Sequence, residues 1–463
     1  MKKEANREQF EYIIHGPIFN SLVKLSLPIM VSQFMQTLYN LADTFWVGKV
    51  GAEAVAAISL SFPLVFLMIS VAAGLTIAGT ALIAQYQGAG DIKQVEKMAG
   101  QLISFIGAFS ILVSVVGFIW ARDLLSLMGA APEIIDPATG YLKIIFAGMP
   151  FMFGFFIFSA SLRGIGDTMT PAVMMFSSVI LNIILDPILI FGLGPFPAMG
   201  VEGAAVATIF SRGVVAIYAI YIFANGSRGI QLKYQNMIPD WPTIKMIIRI
   251  GLPSSIEQSM VSLGQLFMTT LVASFGTITL AAFGIVNRLI SIPVILAMGF
   301  SAATTTMVGQ NIGADQKKRA ERTALVSITT VFTSLTLIGV FFMILPEWSI
   351  GVFNREPGVL RDGQAYLLAV AWNFGFIGVL NAVNGVFKGA GKTIPPMIIS
   401  TTNLWIFRVL LAFLLSRTLG WGTAGLWWAV AISNIAGALL GVIWLKVADW
   451  SEKVIGTKEN NPA

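Results

Sequence analysis

The 463-residue sequence has few charged residues and no cysteine. Asp, Glu, Lys and Arg make up 11% of it, against roughly 25% in typical soluble domains, and 56% of the residues are hydrophobic. No stretch is polar enough to form a soluble domain. The lack of cysteine excludes disulfides, thiolate metal sites and lipid-modified cysteines. The single histidine, His15, excludes a metal site built from several imidazoles.

Long apolar stretches recur along the whole chain. A helix needs about 20 residues to cross a hydrocarbon core of ~30 Å, and a backbone exposed to lipid must satisfy its own hydrogen bonds. We therefore predict an all-α membrane protein. Its twelve transmembrane helices are expected at roughly 25–47, 54–84, 99–121, 139–161, 171–192, 202–224, 250–274, 280–310, 323–346, 363–387, 395–416 and 423–445.

The basic residues are sorted by side on this topology. With the N-terminus inside, 20 of the 29 Lys and Arg residues fall in cytoplasmic segments. The positive-inside rule then predicts a multi-pass protein of the plasma (inner) membrane with both termini in the cytoplasm. The net charge of +6 reflects this topology, so no nucleic-acid partner is expected. We expect a monomer in contact with membrane lipids.

The chain contains an internal duplication. Shifting the sequence by 225 positions aligns "SLPIMVSQ" (26–33) with "GLPSSIEQ" (251–258), and the same register holds to "RGIGDTMTP" (163–171) and "KGAGKTIPP" (388–396). Each copy contains six predicted helices, an even number, so the two repeats are parallel. Folds of this kind bind substrate near the interface between the halves.

The duplication also divides the chain into segments. We predict a cytoplasmic N-terminal segment (1–24), an N-lobe (25–224), a cytoplasmic linker (225–249), a C-lobe (250–445) and a cytoplasmic tail (446–463). The charged linker is expected to tether the lobes at the headgroup level.

Only the first copy carries a pair of membrane-embedded acids. Asp43 and Asp186 each follow a proline by 15 residues, so both are expected at the same depth, whereas the second copy has Met268 and Leu411 at these positions. An acid at this depth costs about 2.5–3.5 kcal/mol even on insertion scales, so it is retained for a function by default. Snorkelling of either acid to the interface is the alternative.

Uncharged polar residues accompany both acids. Gln33, Gln36 and Asn40 share one helix face with Asp43, and Tyr39 lies alongside. Asn182 precedes Asp186 by one turn, and Thr208 in the sixth helix adds a hydroxyl. Carboxylate, amide and hydroxyl oxygens suit a hard cation such as Na⁺ or H₃O⁺. We therefore predict that Asp43 and Asp186 couple entry of a cation to a conformational change.

Several motifs together resemble one transporter family. "QTLYNLADTFWVG" in the first helix, "LRGIGDT" after the fourth, "NIILDP" in the fifth and "MGVEGAAVAT" in the sixth are similar to the multidrug and toxic compound extrusion (MATE) family, in its DinF-like and archaeal branch. The resemblance covers roughly residues 20 to 450. It implies a V-shaped pair of lobes that exports amphipathic, often cationic, organic compounds by alternating access in antiport with H⁺ or Na⁺, without a further cofactor.

The resemblance also assigns candidate site residues. It implies that the N-lobe cation site is lined by Asp43, Asn182, Asp186 and Thr208, the residues that would also hold a Na⁺ ion. The substrate cavity is expected to be lined by Gln36, Tyr39, Asn40 and Tyr141, with Phe156 and Ser159 from "GFFIFSAS" (154–161) where the family often has asparagines.

Two charged residues of the second half have no assigned role. Glu257 lies only four residues after Pro253, so we expect an interfacial carboxylate rather than a second coupling site. Arg408 is the one base deep in the late helices, and we expect it to pair with a carbonyl or an acid at the lobe interface.

Two other functions compete with antiport. A flippase for a lipid-linked saccharide, from the same superfamily of folds, would need a basic cavity for phosphates, whereas the N-lobe carries acids. A membrane enzyme or receptor is a third class, but the sequence offers no combination of nucleophile, base and metal ligands for catalysis. We therefore expect no enzymatic activity.

Overall fold

The computed structural model describes residues 2–456, with side chains from Glu8 onward, and every regular element in this range is helical. This confirms the predicted all-α class. The helices of the first half are α1 (Lys2–His15), α2 (Ile18–Gly48), α3 (Ala52–Gly88), α4 (Ile92–Leu127), α5 (Pro132–Ala147), α6 (Met149–Gly164), α7 (Met169–Phe191), α8 (Gly200–Ala224) and α9 (Tyr234–Met237).

The second half repeats the pattern with one irregular helix. Its helices are α10 (Trp241–Ala273), α11 (Thr277–Gly313), α12 (Lys317–Ile344), α13 (Pro346–Gly351), α14 (Pro357–Ala371), α15 (Phe374–Gly389), α16 (Ile394–Leu404), α17 (Leu411–Phe413) and α18 (Thr423–Val447). Two π-helical stretches, Trp405–Leu410 and Leu414–Thr418, join α16 and α17 into one long helix.

By length and apolar composition, the described helices provide eleven of the twelve predicted crossings. Nine are long and apolar enough to cross a membrane, and two more crossings are bent pairs, α5 with α6 at 45° and α14 with α15 at 52°. The remaining one, α10, is 33 residues long but carries several serines, glutamines and charged residues, and it falls short on hydropathy.

The described chain forms two compact units. The first unit contains residues 2–11 and Val31–Gly251, and the second unit contains Tyr12–Met30 and the chain from Leu252 onward. Helix α2 therefore contributes its beginning to the second unit and its later turns, including Asp43, to the first.

Glycines allow the helices of the first unit to approach closely. A Cβ on Gly203 of α8 would lie 2.5 Å from the carbonyl oxygen of Leu189 on α7, so the two backbones touch at this point. A Cβ on Gly148, at the bend between α5 and α6, would lie 2.0 Å from the side chain of Ile209. These contacts fix α8 against the helices that carry Asp186 and Tyr141.

A short linker segment is anchored on α4. The side-chain NH₂ of Gln101 donates to the carbonyl oxygens of Asn236 (2.8 Å) and Ile238 (2.6 Å), and its oxygen accepts from the backbone N–H of Asp240 (2.8 Å). Asp240 also pairs with Lys97 at 3.1 Å and accepts a hydrogen bond from the Thr243 hydroxyl. Partial burial would raise the pKa of Asp240, but these contacts outweigh it and hold the pKa below its ordinary value.

The core of the second unit is aromatic. The rings of Tyr366 and Trp427 stack with centroids 4.2 Å apart, and Phe283 stacks on both at 5.7 and 6.2 Å. All three are buried. They join α11, α14 and α18 into one packed body.

The candidate cation-binding site

Asp186 and Asn182 lie one turn apart on α7, and both are fully buried. The side-chain NH₂ of Asn182 donates to Oδ1 of Asp186 at 3.0 Å. The second oxygen of Asp186 and the amide oxygen of Asn182 are sealed from solvent and have no hydrogen-bond partner. Two oxygens on one face of α7 are therefore free to bind a ligand.

Asp43 adds a second carboxylate from α2. Its side chain is half-buried, and its Oδ1 is another sealed oxygen without a hydrogen-bond partner. Asp43 and Asp186 are close enough for their charges to interact. The structure thus brings together two acids that are 143 positions apart in the sequence.

A hydrogen bond between Tyr39 and Thr208 closes the cluster. The two hydroxyl groups lie 2.6 Å apart and join α2 to α8. Tyr39 and Tyr141 both lie within electrostatic reach of the two acids. Asp43, Asn182, Asp186 and Thr208, with two tyrosines beside them, therefore form one polar cluster in the first unit.

The sequence profile of one family, MatE, matches both halves of the chain, at residues 28–188 and 253–414. The two matches begin 225 positions apart, the offset of the internal repeat. The chain belongs to the MatE family. The family predicted from the motifs is therefore confirmed.

Two curated MatE relatives align over almost the whole chain. The probable multidrug resistance protein NorM of Thermotoga maritima is 30% identical over 96% of this chain and 95% of its own length. The probable multidrug resistance protein YpnP of Bacillus subtilis is 28% identical over 96% and 98%.

A solved structure of an outward-facing multidrug resistance MATE family transporter of the MOP superfamily is similar to this chain, with 27% identity and a TM-score of 0.87. The match covers 94% of this chain and 96% of that one. The likeness confirms the twelve-helix fold.

This MatE protein also has a buried arginine beside the cluster, to which the sequence analysis assigned no role. Arg212 of α8 donates to the side-chain oxygen of Gln36 at 2.7 Å and to the sulfur of Met175 at 3.1 Å. Its guanidinium also lies over the rings of Tyr39 (5.6 Å) and Phe155 (5.3 Å). The sequence signal for Arg212 was a single basic residue within a predicted transmembrane helix, one turn after Thr208.

The other predicted cavity residues differ in their surroundings. Gln36 donates to the side-chain oxygen of the exposed Asn40 at 3.2 Å, so both lie on the polar face of α2. Ser159 is buried, and its hydroxyl has no hydrogen-bond partner. Phe156 is half-buried and packs near Phe155, and no polar contact joins it to the acids in the described chain.

The buried acid Glu257 of the second unit is neutralised within that unit. Glu257 is 3% exposed, and its carboxylate contacts the ammonium group of Lys388 at 3.0 Å and the hydroxyl of Ser400 at 3.0 Å. Glu257, Lys388 and Ser400 come from α10, α15 and α16, and the interfacial position of Glu257 stays a prediction. A lysine of the chain itself already balances this charge.

Proposed function

We propose that this MatE protein is a secondary antiporter that exports amphipathic, often cationic, organic compounds in exchange for H⁺ or Na⁺. The coupling ion binds at Asp43, Asn182, Asp186 and Thr208. Membership of the family and the names of the multidrug resistance relatives support the general activity.

One observation carries the assignment of the ion site. Asp43, Asn182 and Asp186 each present one sealed oxygen without a hydrogen-bond partner, and two of these residues are acids. Buried polar atoms in native proteins are almost always bonded to protein, water or an ion, so three such oxygens in one cluster, two of them on carboxylates, support an ion site. A small hard cation satisfies the oxygens and offsets the negative charge.

The donor set indicates the kind of ion. Within the described residues no group of three or more His, Cys, Asp or Glu side chains could hold a metal ion, and the cluster contains only two carboxylates. Oxygen ligands without imidazole or thiolate favour Na⁺ or a proton over a transition metal.

Repulsion between the two acids supplies the coupling. With no cation present, two carboxylates in a site of low dielectric constant repel each other, and a bound cation removes the repulsion. A conformation that holds the acids close is therefore stabilised by the ion, and one that separates them is stabilised by its loss. An ion can shift the conformational equilibrium only through such a difference in affinity.

We also propose the finer features predicted from the sequence. The protein lies in the plasma membrane as a monomer, with both termini in the cytoplasm, and acts without a further cofactor. The bias of Lys and Arg toward the predicted cytoplasmic segments supports this orientation.

The test is efflux of a fluorescent organic cation from cells that express the protein. Asp43→Asn and Asp186→Asn each keep the size of the side chain but remove its charge, so each variant is expected to reduce efflux to the level of cells without the protein. Asp123→Asn is the matched control, because Asp123 is an exposed acid at the far end of α4.

Membrane insertion of every variant is checked by quantifying the protein in purified membranes. Wild-type efflux by both Asp43→Asn and Asp186→Asn, at equal protein amounts, would exclude this coupling site. Equal loss of efflux in Asp123→Asn would point to a general effect of charge removal.

A further inference from the structure

The second unit holds an arginine in an irregular part of a membrane helix. Arg408 lies in the π-helical stretch Trp405–Leu410, between α16 and α17. Its Nε donates to the hydroxyl of Ser433 at 2.9 Å, and its Nη2 donates to the side-chain oxygen of Asn434 at 2.7 Å. Asn434 in turn donates to the side-chain oxygen of Asn373 at 3.0 Å.

No acid compensates this charge. Among the described residues, no Asp or Glu forms an ion pair with Arg408, and both of its hydrogen-bond partners are neutral. Lys388, in the last turn of α15, is paired with Glu257, so its charge is compensated. An unpaired charge at membrane depth is costly and is retained for a function by default.

One nitrogen of the guanidinium is available to a ligand. Within the described chain Nη1 makes no hydrogen bond, and it is not among the sealed polar atoms, so it keeps accessible surface. Arg212 in the first unit differs, because both of its terminal nitrogens have acceptors and two aromatic rings flank it.

Two interruptions of the membrane helices are joined through Asn434. Asn373 lies at the break between α14 and α15, where the axis bends by 52°, and Arg408 lies in the π-helical stretch. Non-helical backbone at membrane depth is tolerated where it is buried in protein or lines a cavity, and π-helical turns frequently occur at functional sites. The hydroxyl-bearing ring of Tyr366 is within electrostatic reach, and it stacks on Trp427.

We propose that Arg408, held by Ser433 and the Asn434–Asn373 pair, binds an anionic group, carboxylate or phosphate, of a transported amphipath. A guanidinium with a free nitrogen matches the oxygens of both groups. This inference rests on the proposed transport function and extends its substrates to zwitterionic and anionic amphipaths.

The test is equilibrium binding, without any ion gradient, to the purified protein in phosphatidylcholine nanodiscs. The probes are a rhodamine with a free carboxylate and its methyl ester, which differ by one negative charge. Arg408→Gln is expected to weaken binding of the carboxylate form by roughly tenfold or more, the effect of losing a charge-assisted hydrogen bond, and to leave binding of the ester within about twofold.

Two other variants act as controls. Arg408→Lys keeps the charge and is expected to retain most of the affinity for the carboxylate dye. Arg417→Gln removes an exposed arginine at the end of the same long helix and is expected to bind both dyes like the wild type. Equal affinity of Arg408→Gln and wild type for the carboxylate dye, or an equal loss in Arg417→Gln, would overturn the proposal.

Competition experiments on the wild type decide the outcome even if Arg408→Gln does not fold. Dodecyl phosphate is expected to displace the carboxylate dye, and failure to displace it rejects the site. Displacement by phosphatidylglycerol added to the nanodisc would assign the site to a lipid headgroup and overturn its assignment to substrate. Dye binding without an ion gradient reports on Arg408, whereas efflux by Asp43→Asn and Asp186→Asn reports on the coupling site, so failure of the two proposals gives different results.

Discussion

Single side chains in the first unit find their partners across helices. Gln36 and Arg212 are 176 positions apart in the sequence, and Tyr39 and Thr208 are 169 apart, yet each pair is hydrogen-bonded. Both pairs join α2 to α8. The polar face of α2 is therefore held by specific hydrogen bonds rather than by apolar packing alone.

The Gln36–Arg212 bond predicts a measurable loss of stability. Gln36→Leu leaves a buried guanidinium nitrogen without its acceptor, which costs about 1–3 kcal/mol. We expect the thermal midpoint of the purified protein to fall by several degrees. Replacing both partners, Gln36→Leu with Arg212→Met, is expected to recover most of the loss, because no charge is then left unpaired.

The double variant also tests the explanation. Additive losses from Gln36→Leu and Arg212→Met would show that the two side chains are not coupled. A midpoint unchanged in Gln36→Leu would show that the hydrogen bond contributes little to stability.

At the scale of the element, the two copies of one helix differ in their backbone. Helix α7 has 23 residues, and its repeat counterpart, Ile394–Thr418, has 25. The counterpart contains the two π-helical stretches Trp405–Leu410 and Leu414–Thr418, whereas α7 is α-helical throughout. The first copy uses a regular helix to present Asp186, and the second uses an irregular one to present Arg408.

The linker segment after α8 is held mainly by one side chain of α4. Gln101→Leu removes three of the hydrogen bonds that join this segment to α4, and the bond from the Ser104 hydroxyl to the carbonyl oxygen of Met237 remains. We expect trypsin to cleave after Lys233 several-fold faster in this variant, because proteolysis follows the population of locally opened states.

Gln94→Leu is the matched control, since Gln94 lies on the same helix and its side chain makes no hydrogen bond within the described chain. Equal cleavage rates in the wild type and Gln101→Leu would show that other contacts, such as the Lys233–Glu96 pair at 3.6 Å, hold the segment.

At the scale of the whole molecule, the two duplicated halves share a fold but differ in their buried charged residues. The profile of the family matches each half, but the unpartnered acids lie in the first unit and the charges of Glu257 and Lys388 cancel in the second. This difference predicts that only the first half of the duplicated fold contains a coupling site.

Everted membrane vesicles identify the coupling ion. A fluorescent organic cation is added with either a proton gradient or a Na⁺ gradient imposed, and we expect one of the two to drive its accumulation. Asp186→Asn vesicles serve as the control and are expected to respond to neither gradient. Accumulation by the wild type with no gradient at all would reject antiport.

Much of the fold follows from the sequence. Helix-length apolar stretches predict the crossings because the hydrocarbon core fixes their length, and the constant offset of 225 predicts two parallel halves. An equal depth of Asp43 and Asp186 stays a prediction, made from their equal distances to Pro28 and Pro171 because the rise per residue in a helix is constant. The π-helical stretches could not be predicted in this way, because no sequence signal in 394–418 marks them.

The sequence by itself determined the class of protein, the number of crossings and the acids of the first half, because these depend on composition and on spacing along one chain. Only the tertiary structure decided which polar atoms meet. In it, Arg212 is hydrogen-bonded to Gln36, and Glu257 forms an ion pair with a lysine. Asp43, Asn182 and Asp186 each have one side-chain oxygen without a hydrogen-bond partner. Whether a buried charge is compensated depends on contacts between distant helices, and the spacing of residues along the chain does not specify these contacts.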